Sequence, residues 1–209
     1  MKEKFESLPE EKKKRILDAS IEEFAINGYD KASTNSIVKK AEISKGLLFH
    51  YFGSKKSLFL YVFDYCVNDL TSRYYLMKKE EPKDIFERFM WFSVLKIKTM
   101  HQEPLMSRLV FSAVSNMPKE LSEELTEKYK NLFAKHMPLI MGDIDTSKFR
   151  KDIDSQKAVE LIMIFMDGIA NKYLQKYRNK PADEVFNDAE KIMEEFNDYI
   201  NILKVGIYK

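Results

Sequence analysis

Apolar side chains return every three or four positions along most of the chain, and strict alternation of apolar with polar residues is scarce. A period near 3.6 marks one face of a helix, so the pattern predicts helices and no sheet. Nine are expected, over residues 10–27, 34–41, 45–51, 55–78, 83–102, 104–116, 119–138, 156–179 and 182–205. The punctuation agrees. Pro9, Pro82, Pro104, Pro118 and Pro181 stand just ahead of periodic runs, where a missing N–H costs least, and Gly28, Gly142 and Gly206 stand just after them. The fold class is therefore all-α. Three short helices with tight turns form a small unit over residues 1–54, and a larger helical domain follows over 55–209. The helix at 55–78 joins the two stiffly and is the expected lever between them.

Within the small unit the first helix carries Ile16, Leu17, Ala19, Ser20 and Phe24 on one face, with charge on the other. Gly28 ends it in a left-handed turn and Tyr29 folds back. Ser33 or Thr34 caps the next helix, in which Ile37 and Ala41 face inward four residues apart. Ser44 caps the third. There Leu48 and Phe52 point to the core, while Gly46, Leu47, His50 and Tyr51 lie on the opposite or flanking side, and Phe49 sits at the edge. Two short helices joined by a turn inside a three-helix unit describe a helix-turn-helix, whose second helix enters the major groove of DNA. Ser54 caps the helix that follows, with Lys55 beside its positive end.

Charge sharpens this picture. The chain has a net charge of only +2, yet residues 31–60 hold Lys31, Lys39, Lys40, Lys45, Lys55 and Lys56 against the single acid Glu42. A local excess of +5 on an otherwise acidic chain fits a phosphate-facing region, and it also fits a solvated lysine face. The exposed rings, bare backbone and caps in the same stretch favour DNA. A protein-binding helical adaptor is the alternative, and it would show no steep loss of DNA affinity with salt. The chain carries no Gly-rich phosphate loop, G-x-S-x-G, H-E-x-x-H or C-x-x-C pattern, so an enzyme is not expected. No cofactor or metal is expected either, since His101 and His136 lack ligand partners at helical spacing. The opening stretch has no apolar signal segment, the longest apolar run is Leu161 to Met166, and Cys66 is the one cysteine. A cytoplasmic protein without a membrane partner is expected.

The motif resembles the TetR/AcrR family of bacterial transcriptional regulators. It reads Gly28-Tyr29, Thr34, Ala41-Glu42-Ile43-Ser44, then Lys45-Gly46-Leu47-Leu48-Phe49-His50-Tyr51-Phe52, Ser54-Lys55 and Leu58, and it covers residues 10 to about 60. Two positions depart from the family pattern: Glu42 stands where glycine is frequent, and Phe49 where tyrosine is usual, so one phosphate-binding hydroxyl is lost. The resemblance implies that Lys45, Gly46, Leu47 and Asn35 approach bases. Ser33, Thr34, His50, Tyr51 and Lys55 then hold the backbone of a double-stranded operator, and Phe49 counts among the DNA-binding positions without that hydroxyl.

For the larger domain the helix at 156–179 is apolar on nearly every side, and the last helix carries a spare apolar stripe. Both suggest a homodimer through Phe165, Gly168, Ile169, Ile192, Phe196, Tyr199 and Leu203, with Gly168 either allowing close approach or simply tolerated. The middle helices hold the residues expected to line a site for a small apolar or aromatic effector: Phe89, Phe92, Met100, His101, Arg108, Phe111, Tyr129 and Phe133. Nearly all the weight behind that site comes from the family resemblance.

Overall fold

Eleven α-helices follow one another in the computed structural model, which describes residues 2–76, 81–178 and 180–209 and, at 2, 74, 133, 135, 136, 138–140 and 182, the backbone alone. They are α1 Lys2–Glu6, α2 Glu10–Lys31, α3 Thr34–Lys40, α4 Lys45–Phe52, α5 Lys55–Leu76, α6 Ile85–Gln102, α7 Pro104–Ser115, α8 Ser122–Met141, α9 Ser155–Lys176, α10 Ala182–Asn187 and α11 Ala189–Ile207. A 3₁₀ turn, Lys119–Leu121, precedes α8. Among the described residues there is no strand, only an isolated bridge between Phe149 and Tyr208. The all-α expectation holds.

Several bounds differ from the periodic pattern, each for a physical reason. α1 was not expected, because one phenylalanine in a run of charge shows no period. α2 continues to Lys31 across Gly28, whose φ of 65° and ψ of 178° break the helix without ending it. That conformation suits glycine but is not the left-handed helical cap expected. α8 runs three residues past Pro138, whose fixed φ is helical and whose missing N–H removes one bond near the helix end. The last helix is two pieces that meet at Asp188, whose φ of −89° and ψ of 0° depart from helical geometry although its N–H still donates to the Glu184 carbonyl; its Oδ2 accepts a bond of 2.6 Å from the Tyr177 hydroxyl. Gly206 lies inside α11 rather than after it. The ends of the expected 55–78 and 156–179 helices fall outside the described residues.

Two compact units divide the chain: Met1–Tyr75 with Gln102–Tyr129, and Leu76–His101 with Lys130–Lys209. All of α5 except Leu76 thus groups with the N-terminal helices, together with α7 and the start of α8, which is a different division from a cut after residue 54.

In the first unit α2 packs along α7 and against α3, and the core is filled by Ile16, Phe24, Ile37, Leu48, Phe52, Leu58, Val62 and Cys66. Burial pushes the Cys66 thiol up to about 12, so it behaves as a small apolar side chain. In the second unit Ile85, Phe86, Phe89, Phe149, Ala158, Ile162, Phe196, Ile200 and Ile207 form the core.

Candidate nucleic-acid interface

The geometry of α3 and α4 begins with their caps. Ser33 Oγ accepts from the Ser36 N–H at 3.4 Å, and Ser44 Oγ accepts from the Leu47 N–H at 3.2 Å. A buried acid fixes the start of α3 from behind: Glu23 Oε1 takes bonds from the Ser33 N–H at 2.8 Å and from Asn27 Nδ2 at 3.0 Å. A buried carboxylate with two donors is a strong tether between α2 and the turn. The turn between α3 and α4 passes through Glu42, which has φ 55° and accepts from Arg15 Nη1 at 3.0 Å. The acid at the position where the related motif favours glycine thus adopts the glycine conformation, and its charge is drawn back to α2.

α4 then rests on Leu48 and Phe52, 1% and 3% exposed, as the spacing predicted. Lys45, Gly46 and His50 are exposed, and Leu47 and Phe49 half-buried. A Cβ added to Gly46 would meet nothing within 4 Å, so the protein's own packing does not require glycine there. Tyr51 corrects an expectation: it is 5% exposed, not on the outer face. The ring belongs to a cluster with Phe5 at 6.0 Å and Phe52 at 6.4 Å, and Phe5 is supplied by the unexpected α1.

Around this helix, Asn35 is exposed, and Ser33 and Thr34 are half-buried at the start of α3. Ser54 Oγ caps α5 by accepting from the Ser57 N–H at 3.0 Å. Lys55 Nζ donates to the Asp30 carbonyl at 3.1 Å and lies 4.9 Å over the Tyr29 ring. Burial first, then a hydrogen bond to Glu120, raises the Tyr29 hydroxyl to about 12. Lys56 completes this brace, donating to the Glu120 carbonyl at 3.0 Å and pairing with Glu124 at 2.5 Å. α4 is therefore held on one side by core packing and followed by a stiff, cation-lined start of α5.

The other expected sites are scattered more widely. Phe89 is a core residue of the second unit, where Phe92 and Met100 are half-buried and His101 is exposed. Arg108, Phe111 and Tyr129 belong to the first unit, and the Phe133 side chain lies outside the described residues. Of the expected dimer residues, Phe196 faces its own unit's core, because the buried face of α11 draws Phe196 and Ile200 from both apolar stripes. Phe165, Ile169 and Leu203 pack against that core at partial burial, Ile192 and Tyr199 are half-buried, and Gly168 is exposed. The exposed large side chains are instead Leu161 and Ile164 on α9 and Ile202 and Val205 on α11. Among the described residues no group of His, Cys, Asp and Glu is placed to hold a metal, and no helix is long and apolar enough to cross a membrane.

A capped, outward-facing second helix on a buried three-helix base defines a helix-turn-helix DNA-binding regulator of transcription. Residues 16–62 match the bacterial regulatory proteins of the tetR family, and residues 83–208 match the tetracyclin repressor-like C-terminal domain. The chain belongs to the tetR family, whose members are DNA-binding regulators and not enzymes. It is 33% identical over 101 residues to the HTH-type transcriptional regulator QacR of Staphylococcus aureus, covering 47% of this chain and 52% of that one, so it spans about half of that relative's length. It is 22% identical over 201 residues to the negative regulator of the biofilm operon, IcaR, of the same species, covering 94% of this chain and all of that one. In fold it is similar to a TetR family regulator from Chloroflexus aurantiacus, with TM-score 0.55 and 23% identity over 99% of this chain and 98% of that one. It is also similar to Bacillus subtilis FadR in complex with stearoyl-CoA, with TM-score 0.53 and 16% identity over 87% and 95%.

Proposed function

We propose that the protein is a cytoplasmic, dimeric transcriptional repressor that binds a palindromic operator through α4 and is released by a small apolar or aromatic effector. The observation that carries this reading is α4 itself, which leaves Lys45, Gly46 and Leu47 at the outward start of a helix anchored by Leu48 and Phe52. Lys45 donates to guanine O6 and N7, Leu47 meets a thymine methyl, and Gly46 lets the backbone close in. Asn35 reaches a base from α3, and Ser33, Thr34, Phe49, His50, Tyr51 and Lys55 hold the phosphate backbone or support the groups that do. Such contacts fix register without reading sequence. The exposed apolar residues of α9 and α11 support the dimer, and a dimer sets two copies of α4 about one DNA turn, ~34 Å, apart. Half-buried Phe92 and Met100 on α6 support an apolar effector, as does the acyl-CoA held by a protein of the same fold. The effector acts by preferring a dimer with a different separation of the two α4 helices.

Selection of bound sequences from a random duplex pool tests the reading. A palindromic consensus with strong loss of affinity at high salt is expected, and Lys45→Ala should alter the consensus at one or two positions per half-site, costing ~1–3 kcal/mol against the preferred base. Enrichment of nothing, or salt-independent binding, would leave the adaptor reading standing.

A further inference from the structure

None of the DNA contacts above uses α1, a helix of five residues. Isolated helices shorter than ~12 residues are marginal in water, so tertiary contacts must hold it. They are present on two sides. Phe5 is fully buried, its ring 4.8 Å from Phe52 and 6.0 Å from Tyr51 on α4, and 5.3 Å from Tyr61 on α5. The Glu6 carboxylate accepts a hydrogen bond from the Tyr61 hydroxyl, which raises that hydroxyl's pKa after burial has already done so. α1 is thus pinned directly to α4, through one large, fully buried apolar side chain.

What this pinning positions is Lys4. Its Nζ lies 3.3 Å from His50 Nε2, on the side of α4 that is exposed. The ammonium is the donor and the imidazole nitrogen accepts, which leaves further ammonium hydrogens to give. Glu6, about 200° around the helix from Lys4, is turned to Tyr61, and Glu3 projects about 100° from it. The outer face of α4 therefore gains a cation that α4 does not itself encode.

We propose that Lys4 is a direct phosphate ligand, delivered by α1 beside His50, so that α1 is a working element of the DNA-binding surface. This rests on the reading that α4 faces DNA. It adds one phosphate contact per protomer, two per dimer, and it carries no sequence information.

The test is the salt dependence of binding to an operator duplex and to a random-sequence duplex, for the full chain and for Lys4→Ala, Lys4→Arg, His50→Ala and the Lys4→Ala/His50→Ala pair. Each lost phosphate contact reduces the slope of log affinity against log salt by ~0.9, so Lys4→Ala should flatten it by ~1.8 per dimer. Affinity should fall several-fold on both duplexes alike, and Lys4→Arg should keep the slope. If Lys4→Ala matches the unaltered protein on both duplexes, the proposal is overturned while the DNA-binding reading stands. If Lys4→Ala has no effect once His50 is alanine, Lys4 only positions the imidazole and the proposal is again overturned. If the unaltered protein retains no duplex at low salt, both readings fall.

Discussion

Gly46 is the residue where folding and function pull in opposite directions. It is the second residue of α4, its φ is not in the left-handed region, and a Cβ there would meet only open space. Nothing inside the protein calls for glycine, yet glycine in a helix costs roughly 0.5–1 kcal/mol relative to alanine. The proposed approach of DNA to the start of α4 would supply the demand. Gly46→Ala is therefore expected to raise the thermal midpoint by a few degrees, ~0.5–1 kcal/mol, while weakening operator binding about tenfold, ~1.4 kcal/mol. Calorimetry and a binding titration on the same protein check it; a stabilised variant with unchanged affinity would remove Gly46 from the interface. Residues of this kind were legible because caps and faces are local. Ser33, Ser44, Ser54, Leu48 and Phe52 all read correctly from spacing. Tyr51 did not, since its burial depends on Phe5, 46 positions earlier and in a segment without period. Glu23 was missed for a similar reason: as a sequence letter it is one more charge on a charged helix. Only the fold shows that it satisfies the Ser33 N–H.

At the scale of elements, α6 shows how long-range polar contacts set boundaries that periodicity cannot. Asp84 Oδ1 accepts from the Phe86 and Glu87 N–H groups, both at 3.1 Å, so α6 starts at Ile85. Its Oδ2 accepts from the Tyr208 hydroxyl at 2.6 Å and pairs with Lys148 at 2.9 Å. Nearby Arg88, 3% exposed, donates to the Pro82 carbonyl at 2.6 Å and the Gly142 carbonyl at 2.5 Å. This network ties the start of α6 to the loop after α8 and to the residue following α11. Burial works against the Asp84 charge, but the bonds from Tyr208, Lys148 and the Glu87 N–H outweigh it, so its pKa lies below the ordinary 3.8. The sign follows from linkage. A carboxyl depressed in the folded state stabilises the fold fully above its unfolded value and loses that contribution as pH falls through the folded value. The second unit should thus lose stability progressively as pH drops below about 3.8. Asp84→Asn should lower the urea midpoint at neutral pH and flatten its fall in acid. An unchanged acid limb would show that Asp84 is not the titrating group. The kink at Asp188 between α10 and α11 likewise coincides with a long-range bond, from the hydroxyl of Tyr177, the residue that follows α9. The sequence pattern runs through it without interruption.

For the whole molecule the informative surface is the apolar face that α9 and α11 leave uncovered. Leu161 and Ile164 are 51% and 70% exposed, and Ile202 and Val205 are 72% and 82% exposed. Side chains of this size seldom stand in water in a group unless a partner covers them. Gly168, exposed on α9, would meet nothing within 4 Å if it carried a Cβ, which leaves room for close helix approach. A stable interface buries on the order of 800 Å² per partner, more than four side chains supply, so the proposed dimer requires the outer edges of the partly buried Phe165, Ile169 and Leu203 as well. The sequence showed that apolar surface was spare but assigned Phe196 to it, because the core takes Phe196 from one stripe and Ile200 from the other and so follows neither. Ile164→Glu and Ile202→Lys each place an unpaired charge in that proposed interface. Each variant should fold as the unaltered protein does, sediment as a monomer at micromolar concentration, and lose at least tenfold in operator affinity, ~1.4 kcal/mol. Combining the two substitutions in separately tagged chains should restore a heterodimer, since Glu then faces Lys across the contact if the α9 of one copy meets the α11 of the other. Dimers that survive both single substitutions would move the interface elsewhere on the second unit.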